Sequence, residues 1–493
     1  MIKPSFDEFR ELAKLGNLVA LRWEVPSDLE TPVSAFLKLE KNEPCAFLLE
    51  SAEQEERIGR YSFLGFTPEM VLSARGSDVF LHKEGRPLRL SAREDLLGVM
   101  RKALSTYRLA NPEGLPNFAG GFVGFLGYEN VRLFEKLTLR EKNGLQVDDG
   151  VFFFVKDFLL FDHFRKTLTI ISLCEIPKKG PRKLQESYAQ TEKKMRKVEI
   201  KLKGMLPGAR HRDSGKRGGR VRANLSPAEF SKRLFRIKEY IRAGDCIQVV
   251  FSQRFHLGRI KDDFETYRAL RSINPSPYMF YFRYRSLRLI GTSPELLVKK
   301  TGRTAEVRPI AGTRIRGENA AKDTKLEKNL KRSPKEMAEH LMLVDLGRND
   351  LGRVCEFKSI RVGDFARVER YSHVMHLVSD VTGRLKPGKD AFDLLKATFP
   401  AGTVTGAPKI RAMEIIDELE PEKRGPYAGA LGYFSFTQDM DMCLMIRTIV
   451  VTGKQAYVQA GAGVVYDSQP QREYQETVNK AGALVQAVLG ARK

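Results

Sequence analysis

The sequence predicts an α+β or mixed α/β protein built on large antiparallel sheets. Short strand-like apolar runs, separated by turns, fill the chain to about residue 190. An amphipathic helix begins near Ser226, and strands and helices mix after it. A chain of 493 residues that is 42% hydrophobic can bury one very large core or two to three ordinary ones. We see no internal repeat at a fixed period.

Strand candidates are apolar runs bounded by turns, and one helix candidate has a start signal. The strand candidates lie at residues 46–51, 61–66, 120–127, 151–161, 246–255, 278–284, 287–292 and 444–451. Ser226 and Glu229 form a predicted capping box with a proline in the first turn. Four apolar residues at helical spacing predict the buried face of this helix: Phe230, Leu234, Ile237 and Ile241.

The net charge of +23 is largely local. Residues 193–222 hold twelve Lys or Arg against Glu199 and Asp213, and they contain no aromatic side chain on which bases would stack. We therefore predict a solvated basic linker at 193–222 between an N-terminal region, 1–192, and a catalytic region, 223–493. A nucleic-acid-binding arm is the alternative that charge alone suggests. We expect no nucleic-acid partner.

The ends and the cysteines predict a soluble, cytoplasmic protein. The first residues do not resemble a signal peptide, and the most apolar run, 151–155, is too short to span a bilayer. Five scattered cysteines without a Cys-x-x-Cys pair suggest neither a disulfide framework nor a structural zinc site.

The loop at 399–409 predicts an anion site. A helix that opens at Pro408 would turn its unpaired N–H groups toward the loop. The phosphate-binding Walker pattern fails, because Ala407 replaces its second glycine and Ile410 follows Lys409. A carboxylate is the better candidate for the anion.

Two pairs of acids, each three residues apart on a predicted helix, are candidate ligands for a hard cation such as Mg²⁺. The pairs are Glu336 with Glu339 and Glu473 with Glu476. The alternatives are structural: Glu336 would complete a capping box with Ser333, and Glu476 would pair with Lys480.

Other motifs are weaker. His373 and His376 have helical spacing, but without a third ligand they favour one histidine as a hydrogen-bond donor or proton carrier over zinc. Gly461 and Gly463 let a strand approach a ligand closely, or mark a bulge. Arg447, within the apolar run 444–451, needs a partner, either a bound carboxylate or a structural acid.

Several long motifs together resemble the chorismate-utilising enzyme family, and within it the anthranilate-forming large subunits. The motifs are Pro309-Ile-Ala-Gly-Thr-Arg314, Asp345-Leu-Gly-Arg-Asn-Asp-Leu351, Val374-Met-His-Leu-Val-Ser379, Gly402-Thr-Val-Thr-Gly-Ala-Pro-Lys409, Arg424-Gly-Pro-Tyr-Ala-Gly429, Ala460-Gly-Ala-Gly463, Leu48-Leu-Glu-Ser51 and Arg60-Tyr-Ser-Phe-Leu-Gly65. The resemblance implies antiparallel sheets in an orthogonal sandwich with helices packed outside, and chorismate, a dicarboxylate, as substrate.

The resemblance also assigns roles. It implies that Glu339 and Glu476 ligand Mg²⁺, with Glu336 and Glu473 in or just outside that shell. It implies a chorismate pocket lined by Gly312, Thr313, Thr403, Tyr427, Arg447, Gly461, Ala462 and Gly463. Glu295 would protonate the departing C4 hydroxyl, and His376 would assist elimination.

Two positions indicate the nucleophile. Relatives that add water use a lysine where this chain has Gln248, and many aminodeoxychorismate synthases have a lysine where it has Ala311. The resemblance therefore implies that ammonia adds at C2 and that pyruvate is lost, giving anthranilate for tryptophan biosynthesis, with aminodeoxychorismate synthesis as the alternative. No cysteine lies on a glycine-flanked turn, so we expect a separate glutamine amidotransferase subunit, in a heterotetramer.

The resemblance implies a regulatory pocket between the two regions, where tryptophan would act as a feedback inhibitor. The residues implied are Glu50, Ser51, Pro277, Tyr278 and Met279. The alternative is that they are ordinary strand and turn residues.

Overall fold

Two large antiparallel sheets form the framework of the protein. The computed structural model describes residues 1–40, 43–51, 59–83, 86–90, 94–178, 180–206, 221–371 and 374–490. The strands are β1 (Ile2–Lys3), β2 (Leu18–Pro26), β3 (Cys45–Glu50), β4 (Tyr61–Phe66), β5 (Met70–Arg75), β6 (Asp78–Lys83), β7 (Arg86–Arg89), β8 (Gly121–Leu126), β9 (Gly150–Val155), β10 (Asp157–Asp162), β11 (Thr167–Glu175), β12 (Arg222–Ala223), β13 (Gln248–Arg259), β14 (Tyr278–Tyr284), β15 (Leu287–Ser293), β16 (Leu296–Thr301), β17 (Thr304–Val307), β18 (Ile310–Ile315), β19 (Arg361–Arg370), β20 (Val374–Arg384), β21 (Gly406–Ala407), β22 (Ala430–Ser435), β23 (Met440–Leu444), β24 (Thr448–Thr452) and β25 (Gln455–Val464). The α-helices are α1 (Phe6–Leu12), α2 (Pro32–Leu39), α3 (Leu96–Ser105), α4 (Pro181–Leu202), α5 (Pro227–Arg242), α6 (Asp263–Ile273), α7 (Ala320–Arg332), α8 (Pro334–Gly352), α9 (Ala391–Thr398), α10 (Lys409–Leu419) and α11 (Pro470–Gly490). Short 3₁₀ helices lie at Tyr128–Leu133 and Gly402–Val404.

The first sheet has the strand order β1-β2-β11-β10-β4-β3-β14-β15-β24-β25-β13-β12, and β21 also pairs with β13. The second has the order β18-β20-β17-β16-β23-β22-β8-β9-β5-β6-β7, and β19 also pairs with β20. Each described pair of strands is antiparallel. The predicted α+β class with large antiparallel sheets is confirmed. The orthogonal crossing of the sheets stays a prediction.

Both sheets contain strands from both sides of the predicted linker, in two contiguous blocks that meet at one junction in each sheet. β3 pairs with β14 in the first sheet, and β8 pairs with β22 in the second. The predicted regions 1–192 and 223–493 therefore share their sheets, and their division into regulatory and catalytic parts stays a prediction.

The start of the predicted linker is helical. Helix α4 continues to Leu202 because Thr191, Met195 and Leu202 are buried on one of its faces, so the boundary at 192/193 falls inside a helix. Residues 207–220 of the predicted linker lie outside the described residues.

Alternation along the strands divides the apolar residues between two layers. In β14, Phe280 and Phe282 face the core between the sheets, where Phe282 stacks on Phe153 of β9 with ring centroids 4.4 Å apart. Met279 and Tyr281 point to the opposite face, into a second core that α2, α4, α6 and α11 cover. Helices thus lie outside the first sheet, and the second sheet lies on its other face.

The local sequence signals for helix α5 are confirmed. The capping box of α5 is present: Ser226 Oγ accepts from the Glu229 N–H, and the Glu229 carboxylate accepts from the Ser226 N–H at 2.8 Å. Phe230, Leu234 and Ile237 are buried as predicted, and Ile241 is partly buried.

Four local predictions are wrong. The run 151–161 is not one strand, because β9 ends at Val155 in the second sheet and β10 begins at Asp157 in the first. The run 444–451 is not one strand, because β23 ends at Leu444 and β24 begins at Thr448, with Arg447 between them at φ +50°. His376 lies on strand β20 rather than on a helix, and His373 lies outside the described residues. Helix α10 begins at Lys409, so Pro408 is its cap and not its first residue.

None of the described helices combines the length and the apolar character that a membrane span requires.

Candidate functional site

The site is built on paired strands whose small residues admit close neighbours. Gly461 and Gly463 of β25 face the pocket: a Cβ on Gly463 would lie 2.8 Å from Gln248 Nε2, and one on Gly461 would lie 2.7 Å from the Tyr427 hydroxyl. A side chain at either position would therefore displace a pocket group: the Gln248 amide from Gly463, or the Tyr427 hydroxyl from Gly461. Ala462 points its methyl to the opposite, fully buried side, so only its backbone can line the pocket.

Gln248 joins this strand edge to helix α8. Its buried amide Nε2 donates to Glu339 Oε1 at 3.2 Å. The pKa of Glu339 is raised by burial and, secondarily, by the nearby carboxylates of Glu336 and Glu476, while the Gln248 hydrogen bond opposes that shift. Helices α8 and α11 therefore bring their acids close enough to interact.

The four predicted metal ligands fall into two kinds. Two of them have ion-pair partners. Glu476 pairs with Lys480 at 2.7 Å, as its structural alternative predicted. Glu336 pairs with Arg314 at 3.0 Å, which was not predicted. The Glu336 N–H donates to Ser333 Oγ at 3.4 Å, but its carboxylate turns to Arg314, so the predicted capping box is only half formed.

Glu339 and Glu473 have no ion-pair partner within the described ranges. Burial raises the pKa of Glu473, and Glu476 raises it further. Partly buried carboxylates that repel one another suit a hard divalent cation, so the donor chemistry fits Mg²⁺. In the described part of the chain, however, no three acidic, His or Cys side chains are grouped tightly enough to hold a metal. Ligation of Mg²⁺ by Glu339 and Glu476, with Glu336 and Glu473 in or just outside that shell, therefore stays a prediction.

Glu295 is a buried acid with a near-neutral pKa. It lies between β15 and β16, and it accepts a hydrogen bond from Thr403 Oγ1 at 2.5 Å. Burial raises its pKa to about 7, against the lowering effect of the Thr403 hydroxyl. A cavity of about 40 Å³ borders both residues, with Leu343, Leu346 and Gly347 of α8 in its wall. An acid with this pKa can donate a proton near neutral pH.

His376 is held as a neutral base. Its Nδ1 lies 2.9 Å from the Gly312 carbonyl oxygen and 3.2 Å from Thr313 Oγ1. A carbonyl can only accept, so the ring proton sits on Nδ1 and Nε2 carries the lone pair. Burial lowers the pKa of His376, and Arg447 lowers it further. Gly312 adopts φ +59°, a backbone conformation that strains other residues. A Cβ there would also lie 3.0 Å from Leu330 Cδ1 and 3.1 Å from Glu336 Oε2, so a side chain would be crowded as well.

The side chain of Arg447 has no partner among the described residues. Its guanidinium makes no hydrogen bond or ion pair with any residue in the described ranges, so the structural-acid alternative is not borne out. Burial lowers its pKa, and Tyr427 and Glu476 offset that effect. A partly buried cation with no partner is suited to bind an anion, and the role of Arg447 in holding a carboxylate stays a prediction.

The predicted regulatory residues lie apart, where β3 meets β14. Glu50 is the register partner of Met279, and Ser51 follows it in the chain. The buried Glu50 carboxylate accepts from Arg271 Nε and Nη2 at 3.1 Å each, and from the Tyr267 hydroxyl. Pro277 is buried, and the Tyr278 hydroxyl donates to Asp441 of the second sheet at 3.1 Å.

Two functional contacts were missed from the sequence. Lys480, seen there only as a partner for Glu476, also donates to the Gly461 carbonyl at 2.9 Å. Arg424 and Glu420 form a fully buried ion pair beneath Thr403 and Tyr427. Their spacing of four residues was the available signal, but it falls where α10 has already ended.

Comparison with known proteins identifies relatives of this chain. Residues 44–486 match the chorismate binding enzyme family. The chain is 42% identical over 497 residues to anthranilate synthase component 1 of Acetivibrio thermocellus, covering 99% of both chains. It is 43% identical over 508 residues to that of Synechocystis sp., again covering 99% of both. A crystal structure of anthranilate synthase component I from Streptococcus pneumoniae matches with a TM-score of 0.76 and 35% identity, over 94% of this chain and 99% of that one.

We expect Glu295 to titrate near pH 7 in the free protein, and Thr403→Val to raise its pKa by about one unit, because the hydroxyl stabilises the charged carboxylate. Infrared difference spectra across a pH series, assigned with Glu295→Gln, would measure this. Thr398→Val is the matched control, since that buried hydroxyl lines the same cavity but donates to backbone carbonyls. A Glu295 carboxylate that is already fully ionised at pH 5 would contradict the prediction.

Proposed function

The chain belongs to the chorismate binding enzyme family, and we propose that it converts chorismate and ammonia into anthranilate and pyruvate for tryptophan biosynthesis. The observation that carries the proposal is the open guanidinium of Arg447, which lies close enough to His376 to lower the pKa of that ring. Arg447 and the protonatable Glu295 also both lie close enough to Tyr427 to act on the pKa of its hydroxyl. Chorismate offers a carboxylate to the first group and a leaving hydroxyl to the second.

Glu295 acts first as the acid. It transfers its proton to the C4 hydroxyl, the C4–O bond breaks, and the hydroxyl leaves as water, which is a far better leaving group than hydroxide. Ammonia forms its bond at C2 as the two ring double bonds shift toward C4, and the resulting ammonium group loses one proton to solvent. Gln248, an amide fixed by Glu339, orients that nitrogen but is too weak a base to activate water. Thr403 stays on Glu295 and stabilises the carboxylate that the transfer leaves behind.

His376 acts second as the base. Its Nδ1–H is engaged by Gly312, so Nε2 accepts the C2 proton of the amino intermediate. The C2–H electrons form the ring double bond, the C3–O bond breaks, and the enolpyruvyl group leaves and takes a proton to become pyruvate. The ring becomes aromatic, which drives the step.

Glu339 and Glu473 would hold Mg²⁺, with Glu336 and Glu476 near it. When bound, the ion neutralises a carboxylate of the substrate. The raised pKa values of Glu339 and Glu473 favour this assignment, because a cation compensates the burial that mainly raises them and the weaker repulsion between the carboxylates.

Two observations favour ammonia at C2 over the alternative of aminodeoxychorismate synthesis. Ala311, buried on β18, has no amine with which to attack the ring. The relatives that match over almost their whole length are named for anthranilate synthase.

A separate subunit supplies the ammonia. The five cysteines are all buried and free, and burial raises the pKa of every thiol, so none is suited to attack glutamine. The name component 1 in the relatives supports a second component, a glutamine amidotransferase, which we propose assembles with this chain as a heterotetramer. Free thiols fit the cytoplasm.

Product analysis tests the proposal. The purified chain with chorismate, Mg²⁺ and ammonium should form fluorescent anthranilate and pyruvate in equal amounts, and glutamine should not replace ammonium. Glu339→Gln should raise the Mg²⁺ concentration needed for half-maximal rate, because a ligand charge is lost, whereas exposed Glu265→Gln should not. Formation of isochorismate or aminodeoxychorismate instead would refute the assignment, and use of glutamine by the chain alone would refute the separate subunit.

Tryptophan inhibits by binding near Glu50, whose buried carboxylate can exchange Arg271 for the ligand's ammonium group. We expect tryptophan to lower the rate, and Glu50→Gln to weaken its binding in calorimetry by at least about tenfold, the loss of one charged hydrogen bond. Glu24→Gln, an exposed acid on β2, is the control. Full activity at millimolar tryptophan would remove feedback inhibition from the account.

A further inference from the structure

A buried ion pair between Arg424 and Glu420 lies beneath the site and contacts none of the four predicted metal ligands. Arg424 is 2% exposed and Glu420 is 3% exposed. Arg424 Nε and Nη2 donate to the two Glu420 oxygens at 2.8 and 2.6 Å. The backbone N–H and the hydroxyl of Ser252 add two more donors to Glu420 Oε1, at 2.8 and 2.7 Å. Such a pair contributes little net stability, so its geometry calls for another explanation.

The remaining guanidinium hydrogens join two catalytic segments. Nη1 donates to the Val404 carbonyl at 2.7 Å, and Val404 follows Thr403 in the chain. Nη2 donates to the Val250 carbonyl at 2.8 Å, two residues after Gln248 on β13. One planar group thus sets the position of the Thr403 turn relative to the strand that carries Gln248.

The same guanidinium supports the pocket wall. It lies over the ring of Tyr128 at 4.8 Å and over that of Tyr427 at 5.4 Å. The Tyr427 hydroxyl in turn lies against Gly461. Glu129 fixes the backbone at this point by accepting from the Arg424 and Gly425 N–H groups at 2.8 and 3.0 Å.

We infer that Arg424 is a positioning residue for the proposed reaction, and that it acts by holding Thr403 on the Glu295 carboxylate. Arginine is required because it bonds a carboxylate and two diverging carbonyls at once in one plane, which a lysine ammonium cannot reproduce. This inference rests on the proposed function and adds a residue outside the pocket to its machinery.

A double-mutant cycle on kcat/KM with ammonium tests the inference. Arg424→Lys should lower kcat/KM by about 100-fold, the scale of a misplaced catalytic group, and the loss should fall on kcat more than on KM. If Arg424 acts through Thr403, the double variant with Thr403→Val falls little further than the worse single variant. The matched control is Arg254→Lys, another buried arginine that binds Glu422 and the Lys423 carbonyl but not the Thr403 turn, and its effect should multiply with that of Thr403→Val.

Multiplicative effects of Arg424→Lys and Thr403→Val would overturn the inference and leave the function intact, whereas a wild-type chain that makes no anthranilate would overturn the function itself. If Arg424→Lys does not fold, as circular dichroism would reveal, Ser252→Ala replaces it. This variant removes one hydroxyl from Glu420 and should couple to Thr403→Val in the same direction, with a smaller loss. The absence of that coupling would equally refute the inference.

Discussion

The fold brings several charged side chains close together without pairing them, and the proposed chemistry depends on these unpaired charges. Arg447 stands without an acid, and Glu339 and Glu473 stand without a base, throughout the described residues, while Glu476 is occupied by Lys480 and Glu336 by Arg314. Unpaired charge in a partly buried pocket is costly, and an anion together with a divalent cation relieves both costs at once. In the proposed function, a dicarboxylate bound with Mg²⁺ would supply that pair.

The sheets position the uncharged groups and the arginine around these acids. Gln248 and Gly463 lie on neighbouring strands, and antiparallel pairing fixes their backbones at a separation that helices alone would not hold. Arg447 sits in the turn between β23 and β24, so it projects from a rigid edge. Below the pocket, the Arg424–Glu420 pair ties the Thr403 turn to β13. Rigidity matters because a proton moves between groups that must already be in reach.

The sequence predicted what local patterns determine. The capping signals at Ser226 and Ser333, the stripe on α5 and most strands depend on neighbours within a few residues, and they are visible without a fold. Arg447 was misplaced in a strand because its apolar neighbours mask a turn with positive φ. The tautomer of His376 and the partners of the acids depend on contacts tens to hundreds of residues away, as between Gln248 and Glu339, and no local pattern reports them. The Arg424–Glu420 pair could not be predicted, because its role depends on contacts with the Val404 and Val250 carbonyls, which are distant in the sequence.

The most direct test is a crystal structure of the Glu295→Gln variant soaked with chorismate and Mg²⁺, since that variant cannot protonate the leaving group. The account predicts one ligand carboxylate bound to the Arg447 guanidinium, the C4 oxygen facing residue 295, and the metal between α8 and α11. Chorismate bound elsewhere, or an Arg447 that turns to Glu476 while the pocket stays empty, would contradict it.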